Sequence, residues 1–184
     1  MNKTITSKSH ILQAGRHILL TQGAHALSIR CVASECNISV GSIYNYYPSK
    51  AALLSAVVQS IWFEILKPIK STSYATFTEC VQAIFKTIQA AEQQYPGFTT
   101  LHKMNFSDTE KPEGRASMKE SYAILQKVLL STLEKDTAVR EDVFSGPLTQ
   151  ATFVGYVITL LIHLLLQRQK NCDALLAMIR QCIY

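Results

Sequence analysis

The sequence predicts an all-α protein, and two observations carry this prediction. Apolar residues recur at three- and four-residue spacing from one end of the chain to the other, whereas strand-like alternation is scarce. Hydrophobic residues form 48% of the 184 residues and charged residues only 17%, so the composition favours a sizeable buried core over a disordered chain. We expect about nine helices, divided between an N-terminal three-helix domain (residues 1–48) and a larger helical domain (residues 49–184).

The first predicted helix covers residues 7–22. Gly23 is typical of the residue that follows a helix end, because glycine tolerates the backbone conformation needed there. The inward face of this helix is predicted to consist of Ile11, Ala14, Gly15, Ile18 and Leu19.

Two short helices joined by a tight turn follow from residue 28, and this is the pattern of a helix-turn-helix. Ser28 is a good N-cap for the first of them. The turn falls at Cys36 and Asn37, since Asn tolerates the left-handed conformation that such a turn needs. Ser39 is predicted to cap the second helix.

The second helix of the motif, over residues 40–46, differs from a core helix. Ile43 and Tyr47 can face inward, and the remaining positions form a small, polar and aromatic outer surface. Such a surface is costly to bury and is suited to contact with phosphates and base edges. It consists of Val40, Gly41, Ser42, Tyr44, Asn45 and Tyr46.

The rest of the chain is predicted to be a helical body without an internal repeat. A fourth helix begins near Pro48-Ser49 and continues toward Pro68, and a polar loop is expected over residues 107–114. The remaining helical segments are predicted over residues 76–94, 98–106, 115–135, 148–169 and 171–184.

The positive charge is concentrated near the N-terminus. The whole chain carries a net charge of +5, and residues 1–50 hold five basic side chains against the single acidic side chain of Glu35. A polyanion-binding domain needs such an excess, although a basic solvated surface would produce the same count. Together with the helix-turn-helix pattern, the charge favours a DNA-binding domain.

At these residues the chain resembles the tetracycline-repressor (TetR) family over about residues 5–60. The resemblance lies in the three helices, their turns and the downstream residues Tyr44-x-Tyr46-Tyr47-x-Ser49-Lys50, all in order and at the family's spacing. Three departures are visible: Cys36-Asn37 replaces Ala-Gly in the turn, Ala14-Gly15 replaces an Ala pair, and Ala52 replaces a frequent Glu. They leave the preferred DNA sequence open.

The resemblance and the outer surface together predict a set of DNA contacts. Arg30 would meet a phosphate or a guanine edge, with a solvated helix charge as the alternative. Gly41 and Ser42 would allow close approach to the groove; the resemblance implies that Tyr44 and Lys50 bind phosphate. The complete predicted set is Ser28, Arg30, Val40, Gly41, Ser42, Tyr44, Asn45, Tyr46 and Lys50. Of these, Asn45 would address adenine, and Tyr46 a thymine methyl group or a phosphate.

The last two predicted helices, at about residues 148–184, favour a homodimer. The nearly continuous apolar run over residues 151–166 is shorter than the roughly 20 residues that span a bilayer, so we predict no membrane segment. A helix that is apolar all round must be buried, either inside the body or against a second subunit. The TetR family forms a four-helix dimer interface there, and dimerisation would let the protein read a palindromic operator in double-stranded DNA.

Aromatic residues are numerous in the helical body, and the resemblance implies a pocket for a small-molecule effector among its middle helices. We expect Trp62, Phe98, His102, Phe106 and Tyr122 to line it. An apolar, aromatic or planar effector fits such a lining. The alternative is that each of these residues is ordinary core.

Neither catalysis nor a metal finds support in the sequence. There is no nucleophile elbow, phosphate loop or paired-carboxylate constellation, so we predict no enzymatic activity, no cofactor and no metal site. The five scattered cysteines and the lack of a secretory segment favour the cytoplasm. Cys31 and Cys36 raise the hypothesis of a redox switch, with a small buried hydrophobe as the alternative for each.

The sequence therefore predicts a dimeric, ligand-responsive transcriptional regulator, with a repressor favoured over an activator. Two alternatives stay open: a ligand-binding helical protein without a DNA function, and an enzyme on a helical scaffold.

Overall fold

The structure, a computed structural model, describes residues 6–95 and 112–184, except for the side chains of residues 112–118. Every regular element in these two ranges is helical, which confirms the predicted all-α class. The α-helices are α1 (Lys8–Gln22), α2 (Ile29–Glu35), α3 (Val40–Tyr44), α4 (Lys50–Ser71), α5 (Phe77–Gln94), α6 (Pro112–Lys135), α7 (Gln150–Leu166) and α8 (Asp173–Ile183). The short helix predicted over residues 98–106 lies outside the described residues.

The chain divides into two compact units. The first contains Met1–Glu64 and Ala91–Glu120, and the second contains Ile65–Ala90 and Ser121–Tyr184. Because all three dividing points fall within helices, α4, α5 and α6 each contribute residues to both units. The domain boundary expected between residues 48 and 49 stays a prediction.

In the first unit, α1 begins and ends where local sequence signals place it. The Ser7 hydroxyl accepts a hydrogen bond from the His10 amide at 3.2 Å, and the amide of Gly23 (φ 79°) donates to the Leu19 carbonyl. The predicted apolar face of α1 is buried. At Gly15 a Cβ atom would lie only 2.5 Å from Cγ2 of Val57, so α1 and α4 approach each other more closely than an alanine would allow.

The fourth helix continues past Pro68 to Ser71, further than the sequence indicates. A proline removes one backbone donor, and near a helix end this loss is limited. The hydroxyl groups of Ser71 and Thr72 donate to the Pro68 carbonyl at 3.1 and 2.8 Å and satisfy one of the terminal acceptors. By length and composition α4 could cross a membrane, but 56% of its most apolar window is buried within the protein, as in a core helix.

In the second unit, the N-terminal ends of two helices are held by side chains. Thr149 caps α7 by accepting from the Thr152 amide at 3.1 Å. The buried carboxylate of Asp136 accepts from the Phe77 amide at 2.7 Å and from the Tyr184 hydroxyl at 2.5 Å, and its other oxygen accepts from the Ala138 amide at 3.1 Å. Asp136 therefore joins the start of α5, the chain after α6 and the residue after α8.

The start of α6 differs from the sequence expectation. The helix begins at Pro112, within the predicted loop of residues 107–114, rather than near residue 115. Proline suits the first helical position because its missing donor would be unpaired there in any residue.

Candidate nucleic-acid interface

The helix-turn-helix forms as predicted from its capping residues. The Ser28 hydroxyl accepts from the Cys31 amide at 3.2 Å, and the Ser39 hydroxyl accepts from the Ser42 amide at 3.1 Å. Asn37 adopts a positive φ of 54°, which confirms the left-handed turn between the two helices.

The second helix of the motif is shorter than predicted. It ends at Tyr44 instead of continuing to residue 46, and beyond this end the Tyr46 and Tyr47 amides both donate to the Ile43 carbonyl at 2.9 Å. Ile43 is fully buried and Tyr47 is 7% exposed, so both face inward as expected.

The outward surface of α3 is open to solvent. Val40 is 38% exposed and Tyr44 is 49% exposed, and Gly41 and Asn45 are exposed as well. A Cβ atom on Gly41 would meet only the Ser39 hydroxyl, at an ordinary 3.7 Å. The protein's own packing therefore does not require glycine at this position, and the space that the missing side chain leaves is available to a partner outside.

Two cations and two hydroxyl groups of the predicted set lie on α3 or on the helix starts that precede and follow it in the chain. Arg30 on α2 and Lys50 at the start of α4 are exposed. Both hydroxyl groups already have partners within the protein. The Ser28 hydroxyl accepts from the Cys31 amide, and the Ser42 hydroxyl shares a 2.9 Å hydrogen bond with the Ser39 hydroxyl. An exposed lysine in the first turn of a helix is placed where phosphate is also favoured by the helix dipole.

The side chain of Tyr46 makes a contact that the sequence did not indicate. Its side chain is half-buried, and its hydroxyl donates to the carbonyl of Thr6 at 2.5 Å. Because the hydroxyl proton is used within the protein, this geometry favours a structural role over the predicted phosphate contact. The bonded residues are 40 positions apart, so no local sequence signal could have revealed the bond.

The predicted effector residues are only partly covered by the structure. Trp62 on α4 is 8% exposed and belongs to the first unit, whereas Tyr122 on α6 is half-buried and belongs to the second. The Tyr122 hydroxyl lies 3.3 Å from the position that a Cβ atom would take at Gly155 of α7, so this side chain packs between two helices. The other three residues, Phe98, His102 and Phe106, lie outside the described residues, and the pocket stays a prediction.

The cysteines implicated in a redox switch have different environments. Cys31 is exposed, whereas Cys36 is 3% exposed and its thiol lies 4.0 Å from the His10 carbonyl. Burial, with a smaller effect of the Glu35 charge, raises the pKa of the Cys36 thiol above its usual value. A raised pKa lowers the thiolate fraction, which favours the interpretation of Cys36 as a small buried hydrophobe. Across the described parts of the chain, no group of three or more His, Cys, Asp or Glu side chains is placed to hold a metal ion.

The last two helices carry exposed apolar side chains next to their buried face. Phe153 and Val157 of α7 are buried, whereas Tyr156 is 62% exposed and Leu160 is 39% exposed. On α8, Met178 is 42% exposed. These three residues, Tyr156, Leu160 and Met178, are called the α7–α8 surface below.

Comparison with known proteins agrees with this geometry. The family model described as "Bacterial regulatory proteins, tetR family" matches residues 11–57. The HTH-type transcriptional regulator UidR of Escherichia coli (strain K12) is 35% identical over 52 residues, which cover 28% of this chain and 26% of UidR. The chain thus aligns with only about a quarter of the length of this relative.

Solved structures extend the likeness to most of the chain. BioQ in complex with its double-stranded DNA operator aligns with a TM-score of 0.58 at 18% identity, covering 90% of this chain and 87% of BioQ. The multidrug binding protein EbrR in complex with imidazole aligns with a TM-score of 0.59 at 14% identity, covering 96% and 94% of the two chains. At these identities the alignments establish the fold.

The fold and the exposed motif thus define an all-α protein with a helix-turn-helix in its first unit. The TetR family model covers the helix-turn-helix of this chain, from α1 into α4.

Proposed function

We propose that this protein is a sequence-specific DNA-binding transcriptional regulator, and that it acts as a repressor. The observation that carries the proposal is the exposed surface of α3, together with the exposed cations Arg30 and Lys50 on the helices that precede and follow it in the chain. The described residues of its unit leave this surface open to solvent, and its residue types match those that meet phosphates and base edges. UidR, a transcriptional regulator, and BioQ, solved with its operator, support the assignment.

A small apolar or aromatic effector would release the repressor from its operator. EbrR, a multidrug binding protein solved with imidazole, shows that this fold can hold a small molecule. Because α4 contributes residues to both compact units, it is the candidate for the element through which the effector shifts the population toward a form that no longer fits DNA. Couplings of about 1–3 kcal/mol are typical of such systems.

The functional unit would be a homodimer formed through the last two helices. The α7–α8 surface exposes aromatic and aliphatic side chains that a second copy would cover, and two recognition helices would then read a palindromic operator. The proposal places the protein in the cytoplasm, where bacterial DNA lies, and assigns it no enzymatic activity, cofactor or metal.

The DNA assignment predicts that Lys50→Ala weakens binding and lowers its salt dependence. Each lost phosphate contact should reduce the slope of log affinity against log salt concentration by about 0.9. Fluorescence anisotropy over a salt series, with the protein's own upstream DNA against scrambled DNA, measures both quantities. Tyr44→Phe should weaken binding as well.

Lys127→Ala is the matched control for this experiment, since Lys127 is an exposed lysine on α6, in the second unit. It should leave affinity and slope unchanged. If the wild-type protein binds no DNA specifically, even in a genome-wide selection with effector-free protein, the DNA-binding function is wrong.

The dimer assignment predicts that Tyr156→Glu produces monomers. A carboxylate placed on the α7–α8 surface would be buried without a partner at the interface, which is strongly unfavourable. Sedimentation equilibrium measures the oligomeric state. Ala123→Glu introduces the same charge at an exposed position of α6 and should leave the dimer intact; equal behaviour of the two variants would contradict an interface on α7 and α8.

A further inference from the structure

The hydrogen bond from Tyr46 to Thr6 joins two distant parts of the first unit. Tyr46 follows the end of α3, and Thr6 precedes the start of α1. The donor is a half-buried phenol and the acceptor belongs to a residue that is only 7% exposed, so the bond is shielded from competing water. The bond therefore fixes the chain that enters α1 against the end of α3, the second helix of the helix-turn-helix.

The chain between this bond and α1 has little freedom. The Thr6 hydroxyl lies 3.2 Å from Nδ1 of His10, and the Ser7 hydroxyl accepts from the His10 amide at the same distance. Lys8 is the first residue of α1 and is exposed. Two residues of extended chain span at most about 7 Å, so the backbone of Lys8 stays within about that distance of the fixed Thr6.

Two exposed lysines are therefore linked closely to Tyr46 through the chain. Lys50 follows Tyr46 by four residues, and Lys8 follows Thr6, the hydrogen-bond partner of Tyr46, by two. Lys8 makes no ion pair with the described residues. Arg16 differs, because it lines a groove of about 520 Å³ together with the carboxylates of Glu35 and Glu64.

We propose that Lys8 is an additional phosphate contact of the DNA interface and that Tyr46 is the positioning residue that holds it there. This inference rests on the proposed DNA-binding function. An exposed lysine fixed beside the recognition helix lies within reach of the backbone that flanks the major groove, and a sequence-independent charge contact is the interaction that a lysine offers to DNA.

A double-mutant cycle on salt-dependent DNA binding tests the proposal. The probe is a random-sequence duplex of about 30 base pairs, since phosphate contacts do not depend on sequence. Lys8→Ala should lower affinity about three- to tenfold and reduce the salt slope by about one for each protomer bound. Tyr46→Phe should cause the same loss of slope, and the double variant should lose no more than Lys8→Ala alone.

Two further variants separate this role from a general effect on folding. Lys8→Arg keeps the charge and should retain the slope, and Arg16→Ala removes a cation of the same helix that faces carboxylates and should leave the slope unchanged. An unaltered slope in Lys8→Ala would overturn the phosphate contact, and additive losses in the double variant would overturn positioning by Tyr46. Absence of salt-dependent DNA binding in the wild-type protein would instead disprove the proposed function itself.

Discussion

Asp136→Ala is expected to lower the free energy of unfolding by about 2–4 kcal/mol, since each buried donor left without a partner costs about 1–3 kcal/mol. Two of the three donors that Asp136 binds are shielded from water. The Phe77 amide belongs to a fully buried residue, and it is one of the donors at the start of α5 that no helix carbonyl can satisfy. The Tyr184 hydroxyl is partly buried, whereas Ala138 is exposed and its amide can turn to water.

Urea denaturation of three variants measures this contribution. Glu134→Ala removes an exposed carboxylate two residues away and should change stability by less than about 0.5 kcal/mol. Tyr184→Phe removes one of the three bonds and leaves the α5 start capped, so about 1 kcal/mol is expected. If Asp136→Ala unfolded at the same urea concentration as Glu134→Ala, the hydrogen bonds of the Asp136 carboxylate would not contribute to stability as its geometry indicates.

The same cluster predicts a pH dependence at alkaline pH. Burial, followed by the hydrogen bond to Asp136, raises the pKa of Tyr184 above its usual value of about 10. A group whose pKa is raised on folding stabilises the protein below its unfolded-state pKa, and this stabilisation is lost as the pH rises through the folded-state pKa. The stability advantage of the wild type over Tyr184→Phe should therefore be constant at neutral pH and decline above about pH 10.

The helices of this protein could be predicted because their signals are local. Ser7, Ser28 and Ser39 each cap a helix through the amide three residues later, and Asn37 takes the left-handed turn conformation that its side chain tolerates. Local signals also placed Ile43 inward and left Tyr44 exposed. Local signals are thus sufficient to predict the outer surface of the helix-turn-helix.

Contacts between residues far apart in the chain could not be predicted in this way. The bond of Asp136 to Phe77 spans 59 residues and the bond of Tyr46 to Thr6 spans 40. Each of these bonds depends on how the helices pack, and no periodic pattern in a single sequence indicates which distant residues will meet.

Gly15→Ala is expected to destabilise the protein by about 1–3 kcal/mol through overpacking, although alanine is the better helix former by about 1 kcal/mol. The added Cβ atom would lie 2.5 Å from Cγ2 and 3.2 Å from Cγ1 of Val57. Val57 cannot move aside easily, because it is fully buried and a valine in a helix has one strongly preferred rotamer. The steric cost should therefore exceed the gain in helix propensity.

The second half of this prediction is rescue by Val57→Ala. Val57→Ala alone removes both Cγ atoms and leaves a cavity between α1 and α4, which destabilises the protein. In the double variant the new methyl group occupies part of that cavity, so the combined loss should be smaller than the sum of the single losses by about 1 kcal/mol or more. Urea denaturation of the wild type, the two single variants and the double variant measures this difference. Purely additive losses would show that residues 15 and 57 do not touch in solution.

This contact also bears on how an effector could act on DNA binding. The TetR resemblance implies an alanine pair where this chain has Ala14-Gly15, and the close approach of Val57 explains the glycine in physical terms. Gly15 lets α4, whose residues belong to both compact units, pack directly on α1, the helix that precedes the helix-turn-helix. If α4 transmits the effector signal, Gly15→Ala should weaken effector-induced release of DNA more than it weakens DNA binding itself. Anisotropy titrations of operator DNA with and without an identified effector would show this difference, and equal losses in DNA binding and in effector-induced release would contradict it.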